Sequence, residues 1–272
     1  MRREKDSNGF TEAEYLASYK NDVYGKIGVA VDILLLRMKE DLSCMQTLLI
    51  QRKAHPFLDC WALPGGFLGE EESAYEAACR KLREKTGIEG IYLEQLYSMN
   101  QPERDPRMRI IDIAFTGLIP YSEHREAKSE DAAWFDITHT GEQIALHNEE
   151  RDVHIVYELQ EKAFPNGIIT VRNYVPRPVS EEILAFDHSE IVLEGLMKLR
   201  NNVLLSDCAF NLVPNEFTLP DLQKVYEVIL GSELYKANFR DKMAGKIVAK
   251  NKLMKPLSGN RVANVYSYKL IE

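Results

Sequence analysis

Three charged side chains at helical spacing, Lys81, Glu84 and Lys85, and a cluster of cations at 104–109 are the groups in this chain best suited to chemistry. Residues three and four apart share one face of a helix. An ammonium offers no lone pair to a metal ion, whereas hard cations take oxygen ligands. Lys81 and Lys85 also repel each other at that spacing unless an anion lies near both. The face therefore suits a phosphate or a similar anion, and the plain alternative is a solvated helix face. Arg104, Asp105, Arg107 and Arg109 fall within six residues. Guanidinium forks grip phosphate through paired hydrogen bonds, so this loop can serve the same anion. Taken alone it also reads as an exposed ion-pair turn.

The elements that must hold these groups are well marked. In the stretch WALPGGFLGEEESAYEAACRKLREKTGI, residues 61–88, Ser73 and Glu76 make a capping box and Gly87 stands where a helix stops. Ala74, Ala78 and Leu82 give that helix a buried face. Gly65 and Gly66 permit a sharp turn and close approach of a ligand to the backbone. Glu72 and Arg80 are expected to pair structurally between loop and helix.

This string resembles the Nudix box, G-x5-E-x7-R-E-U-x-E-E-x-G-U with U aliphatic: Gly66, Glu72, Arg80, Leu82, Glu84, Gly87 and Ile88 fit in register. The resemblance implies an α/β/α sandwich with a mixed sheet. In active members, glutamates at the positions held here by Lys81 and Lys85, with the one matching Glu84, bind the magnesium that assists pyrophosphate cleavage. We therefore expect no catalytic residues, no metal and no required cofactor. If the chain were active, Glu84 and Glu72 would carry both catalysis and Mg2+. The RDPR segment resembles one found in ADP-ribose-handling Nudix proteins, which favours the phosphate reading of the loop. The expected ligand-binding set is Lys81, Lys85, Glu84, Gly65, Gly66, Arg104, Arg107 and Arg109.

Along the chain, Thr11 and Glu14 could cap a short helix over 11–19. Strands are expected at 27–36, 47–51, 91–97, 110–118 and 132–137, and a hairpin about the FPNG turn within 144–179. His147 and His154 have no matching ligand pair in the sequence. The Pro- and charge-rich segment 176–182 reads as a linker, dividing a sensing domain at 1–178 from a second domain at 180–272. In the second, a helix runs through Ile191, Leu193, Leu196 and Leu199. FTLPDLQKVYEVILG then has Thr218 as N-cap, Pro220 in its first turn and Gly231 at its end. A further helix is expected to start at Ser232, followed by two strands around SGN. That is the order of a winged helix-turn-helix.

Charge separates the two ends. From Lys236 onward, nine Lys and Arg face two acidic residues, a net +7, against −15 for the preceding residues and −8 overall. A basic end on an acidic body suits a polyanion, with a solvated tail as the plain alternative. The DNA-facing candidates are Lys236, Asn238, Arg240 and Lys242 on the second helix, and Lys246, Lys250, Lys252 and Arg261 on the wing. With 28% charged and 45% hydrophobic residues the composition is that of an ordinary globular protein. The N-terminus lacks a signal-peptide run and no stretch approaches membrane-span length, so no membrane is expected and the cytoplasm is the expected location. The four cysteines make no metal-ligand spacing.

AFDHSEIVLEGLMKLR, FTLPDLQKVYEVILG and NFRDK, with LEQLY and RDPR, resemble the Nudix-related transcriptional regulators. That family joins a Nudix-type sensor to a C-terminal winged helix and acts as a homodimer. The resemblance implies a regulator that binds a double-stranded DNA operator and responds to a nucleotide-sugar, ADP-ribose-like or phosphorylated sugar effector, its hydrolase activity lost. The alternative is an active Nudix hydrolase cleaving a nucleoside diphosphate derivative with Mg2+.

Overall fold

The structure, a computed structural model, describes Thr11, Glu14 and residues 26–122 and 129–269. The helix expected over 11–19 lies mostly outside these residues. At its start the Glu14 N–H donates to Thr11 Oγ1 at 3.3 Å, and the Thr11 N–H donates to Glu14 Oε2 at 2.8 Å.

The chain is organised by one sheet. Its strands are β1 (Gly28–Met38), β2 (Met45–Gln51), β5 (Tyr92–Met99), β6 (Ile110–Ile119), β7 (Ala132–His139), β8 (Gln143–Asn148), β9 (Val153–Asn166) and β10 (Ile169–Pro178), in the order β10-β9-β8-β7-β2-β1-β6-β5. Two short segments pair beside this path: β3 (Trp61–Ala62) with β2, and β4 (Gly65–Phe67) with β1. Among the described strand pairs only β1 and β6 run parallel, with Gly28 opposite Ile110 and Arg37 opposite Ile119, so the sheet is mixed. The expected 144–179 hairpin is the β9–β10 pair, and β8, which the sequence left unassigned, joins it to the sheet.

β1 is buried on both faces, which is why it reads as an almost unbroken apolar run. Val31 and Ile33 pack with Ala77 and Ala78 of helix α1 (Ala74–Thr86), and Leu35 packs with Leu82. Leu34 and Leu36 point the other way, into a cluster with Ile191, Val192 and Leu196 of helix α2 (His188–Asn202). The sandwich is thus closed by the helix that the sequence reading placed in the second domain. The prolines that looked like a linker, Pro176 and Pro178, end β10. This is the sheet edge, where a missing N–H on the open side costs nothing.

Contact between α2 and β1 is close. A Cβ on Gly195 would lie 2.2 Å from Leu34 Cδ2. Gly195→Ala is therefore expected to lower stability by about 1–3 kcal/mol through overpacking, measured by denaturant unfolding. An unchanged midpoint would show that α2 is not seated as described.

Past α2, a short 3-10 turn (Cys208–Leu212) leads to β11 (Phe217–Thr218), α3 (Leu219–Leu230), α4 (Lys236–Met243), β12 (Ile247–Met254) and β13 (Ala263–Tyr268). β13 lies between β11 and β12 in a small sheet. Thr218 caps α3 by accepting the Asp221 N–H at 3.2 Å, and Gly231 ends it at φ 66°. The second helix starts at Lys236, four residues later than the sequence suggested. Glu227 Oε1 accepts from the Leu234 N–H at 3.0 Å and from Gln223 Nε2 at 2.8 Å. Gln223 Nε2 also donates to the Leu234 carbonyl at 2.9 Å, so the segment before Tyr235 is tied to α3 rather than wound into α4. Leu199, Val203, Leu212 and Leu222 belong to one buried cluster that runs from the sheet into this region.

Candidate functional site

The box helix has both halves of its capping box. The Ser73 N–H donates to Glu76 Oε2 at 2.8 Å and the Glu76 N–H donates to Ser73 Oγ at 3.2 Å. The expected loop-to-helix pair is also present: Arg80 forks onto Glu72, with Nε donating to Oε2 at 2.8 Å, and Nη1 lies 3.1 Å from Glu84. Hydrogen bonds from Arg80 and from the Gly69 N–H bring the Glu72 carboxyl down to about 2. Lys81 Nζ donates to Glu84 Oε2 at 3.1 Å, and this bond with that of Arg80 lowers the Glu84 pKa. Both carboxylates that a catalytic metal would need are thus committed to cations of the protein. A hard divalent ion collects six or more oxygens, and this donor set does not fit one.

Lys81 lies against the β4 turn. A Cβ on Gly66, whose φ is 154°, would sit 2.9 Å from Lys81 Cε and 3.4 Å from its Nζ. The glycine therefore leaves room for an ammonium where a side chain would expel it. Lys85 is exposed and has no hydrogen-bond or ion-pair partner among the described residues. Nor does it line the cavity next described.

Gly65 and Gly66 also line a cleft of about 90 Å³, together with Asp32, Arg52, Arg104, Arg107 and Phe186. It has room for a group of phosphate size. The two accessible guanidiniums flank Phe186: Arg52 lies 4.8 Å from its ring centroid and Arg107 5.8 Å, with Arg107 also 5.3 Å from the Phe67 ring. Burial lowers the Arg52 pKa, and the nearby charge of Arg107 lowers it further. The Arg107 fork is taken by Asp105, with Nε at 2.9 Å and Nη2 at 2.6 Å, so an incoming anion would meet the remaining N–H groups of the two guanidiniums. Phe57 packs on Phe186 at 4.8 Å between centroids.

Arg104 departs from its expected role. Its side chain is buried and forks onto Asp187 at 2.8 and 2.6 Å, with Asp32 at 3.7 Å and Asp112 at 4.0 Å. It neutralises buried carboxylates instead of facing a ligand. Arg109 also turns aside, donating to the Asn100 carbonyl at 2.7 Å. Of the expected ligand set, Gly65, Gly66, Arg104 and Arg107 share the cleft, Lys81 and Glu84 adjoin it through Gly66, and Lys85 and Arg109 lie outside it.

The sequence reading missed the centre of the site. Asp32 on β1, Asp112 on β6, and Asp187 and His188 at the start of α2 converge from distant positions. His188 Nδ1 accepts the Leu63 N–H at 2.9 Å, leaving Nε2 as the side facing Asp32 at 3.3 Å. Burial opposes ionisation of Asp32, but His188 and Arg104 outweigh it and hold its pKa low. Burial, and then the charge of Asp32, push Asp112 well above the usual carboxylate range. Neither Asp112 oxygen has a hydrogen-bond partner among the described residues.

A pH dependence follows from that proton. Unfolded Asp112 ionises near 4, whereas the folded protein keeps it neutral, so its contribution to stability falls as pH rises from about 4 through the folded-state value. Asp112→Asn removes this loss. The variant should gain thermal stability over the parent as pH rises above about 4, the unfolded-state value. A difference that does not change with pH would contradict the assignment.

At the other end of α2, the basic residues sort into two groups. Lys242 Nζ donates to the Leu204 carbonyl at 2.7 Å. Lys246 Nζ lies 2.5 Å from Asp207, which also accepts from Tyr268 Oη at 2.8 Å. Lys252 pairs with Glu216 at 2.7 Å. These three are engaged within the protein. Lys236, Asn238, Arg240, Lys250 and Arg261 are exposed and have no hydrogen-bond or ion-pair partner among the described residues. The wing is fastened to α3 through Asp221, which accepts from the Ser258 N–H at 2.9 Å and from Ser258 Oγ at 2.8 Å.

Comparison with known proteins accounts for both halves. A sequence model of the NUDIX domain matches residues 26–156, and one described as the NrtR DNA-binding winged helix domain matches residues 209–268. The chain is 30% identical over 267 residues to the ADPR responsive transcriptional repressor NtrR of Acinetobacter baylyi, covering 97% of this chain and 90% of that protein. Over 68 residues it is 44% identical to an ADP-ribose pyrophosphatase of Methanocaldococcus jannaschii, 25% of this chain and 40% of that one. Among solved structures, a MutT/nudix family protein from Enterococcus faecalis superposes with a TM-score of 0.75 at 27% identity, over 96% of this chain and 94% of that one. Shewanella oneidensis NrtR complexed with a 27mer DNA superposes with a TM-score of 0.66 at 28% identity, over 89% and 93%.

Proposed function

The chain belongs to the family of the ADPR responsive repressor NtrR, a Nudix domain followed by an NrtR-type winged helix, and from that premise we propose that it is a DNA-binding transcriptional regulator whose Nudix-like domain senses ADP-ribose or a closely related phosphate-bearing nucleotide sugar. The observation that carries the sensing half is the state of the box. Glu72 and Glu84 are held by Arg80 and Lys81, while Arg52 and Arg107, the latter also paired with Asp105, line the cleft beside Phe186. Such a site neutralises phosphate with its own cations and needs neither Mg2+ nor catalysis. Lys81 supplies positive charge beside Gly66 where active relatives bind a metal.

The regulatory half rests on continuity. α2 begins at the cleft with Asp187 and His188 and ends beside Leu204 and Asp207, which bond to Lys242 and Lys246 of the winged helix. A ligand that moves Arg107 or Phe186 therefore acts at one end of a helix whose other end meets the DNA-binding part. We further propose that the protein works as a cytoplasmic homodimer on a two-fold operator, as paired half-sites require. No described helix is long and apolar enough to cross a membrane.

Calorimetry with ADP-ribose in the presence of a chelator tests the sensing half. Saturable binding without metal, weakened roughly 10- to 150-fold by Arg107→Ala, is expected for loss of a charge-assisted contact. Binding only with Mg2+ or Mn2+, together with turnover that Glu84→Gln abolishes, would instead identify a hydrolase.

A further inference from the structure

The outer face of α4 carries an unpaired carboxylate among cations. Phe239 and Met243 are buried and fix the inner side of the helix. At about 100° per residue, Asp241 stands roughly 180° from their midline, Ala237 roughly 140° and Asn238 roughly 120°. Arg240 and Lys242 fall roughly 80° to either side. All five are exposed. Lys236 and Arg240 border a groove of about 780 Å³ shared with Leu253 and Asn264 of the wing, so that flank faces β12 and β13. The opposite flank is closed by the bond from Lys242 to Leu204.

Resting on the DNA-binding reading above, we propose that Asn238 and Asp241, with Ala237 on the other side of Asp241 around the helix, read base edges in the major groove, while Lys236 and Arg240 contact phosphate. Asn at such a position bonds an adenine through its N6 and N7, a carboxylate accepts from the cytosine N4 amino group, and a methyl side chain lies against a thymine methyl. The carboxylate is the telling residue. Asp241 has no hydrogen-bond or ion-pair partner among the described residues and sits in the last turn of α4, where the helix dipole disfavours negative charge. It also stands on the exposed side of the helix, about 100° around from Arg240, where it would repel phosphate. Neither helix stability nor non-specific DNA affinity gains from it, whereas recognition of a cytosine does. The flanking guanidinium and ammonium set the register, and the outward residues supply the sequence information.

Selection from a randomised duplex pool by the full-length protein tests this, run in parallel with Asn238→Ala and Asp241→Asn at one salt concentration. The parent is expected to enrich a motif with an A·T and a C·G pair at fixed, neighbouring positions. Asn238→Ala should lose discrimination at the adenine by roughly 5- to 150-fold and nowhere else. Asp241→Asn should lose discrimination at the cytosine and bind random-sequence DNA more tightly than the parent, because a repulsive charge has gone. Variants that enrich the parental motif with parental stringency would overturn the proposal while leaving DNA binding intact. Failure of the parent to retain any duplex would overturn the DNA-binding reading and the proposal with it.

Discussion

Replacing Arg104 by alanine is expected to destabilise the protein by about 3–5 kcal/mol, the largest effect of any single substitution considered. The guanidinium is almost wholly buried, with 3% of the side chain exposed, and serves Asp187, Asp32 and Asp112 at once. Its removal leaves the Asp187 and Asp32 carboxylates without their guanidinium, with only His188 still against Asp32, and a buried charge that loses its partner costs far more than a broken surface pair. At this chain length the loss corresponds to roughly 6–20 °C in thermal midpoint. Because Asp187 opens α2, the same substitution should also weaken any effect of the effector on DNA binding in protein that still folds. Arg104→Lys should recover only part of the loss, since an ammonium cannot fork onto Asp187. A loss below about 1 kcal/mol for the alanine variant would mean that the acidic cluster is satisfied in some other way.

The second large effect concerns DNA. Lys236→Ala with Arg240→Ala should remove two phosphate contacts without touching any buried group. At about 0.9 per contact, the slope of log K against log salt should fall by roughly 1.8, which is on the order of 60-fold in affinity at 0.1 M salt. The loss should be the same for operator and random sequence, because phosphate contacts carry no sequence information. Lys246→Ala is the internal control. Its ammonium is bound to Asp207, so it should lower stability and leave the salt slope unchanged. The same slope for parent and double variant would remove Lys236 and Arg240 from the interface.

Local signals in the sequence described local structure well. Ser73, Glu76 and Gly87 bound the box helix where their capping chemistry puts them, and Thr218 and Gly231 do the same for α3. Arg80 and Glu72 form the expected pair, eight residues apart and joined through one turn and one loop. Signals that depend on packing partners were not readable. Ile191, Leu196 and Leu199 announce a buried helix face but not which surface buries it. That is why the sequence grouped α2 with the second domain, although its apolar face packs against β1 of the sheet. Arg104 and Arg107 differ by three positions in one loop, yet one forks onto Asp187 in the acidic cluster and the other onto Asp105 beside the cleft.

The acidic cluster itself left a usable trace. Asp32 interrupts VAVDILLL and Asp112 interrupts IIDIAF, each a charge in a run that reads as a strand buried on both faces. Such a residue needs a cation or a proton, and both solutions occur here. What brings them together is the parallel pairing of β1 with β6, which sets Ala30 opposite Asp112 and Asp32 opposite Ala114. No short-range pattern announces that register, nor the arrival of Phe186, Asp187 and His188 from more than 70 residues further along the chain.

Fluorescence anisotropy of a labelled duplex from the chain's own promoter region, read with and without ADP-ribose at fixed salt and without divalent metal, tests the central claim most directly. Occupancy of the cleft is expected to change the DNA dissociation constant by roughly 5- to 150-fold, with DNA altering ADP-ribose affinity by the same factor. Specific duplex binding that saturating ADP-ribose leaves unchanged would contradict the account.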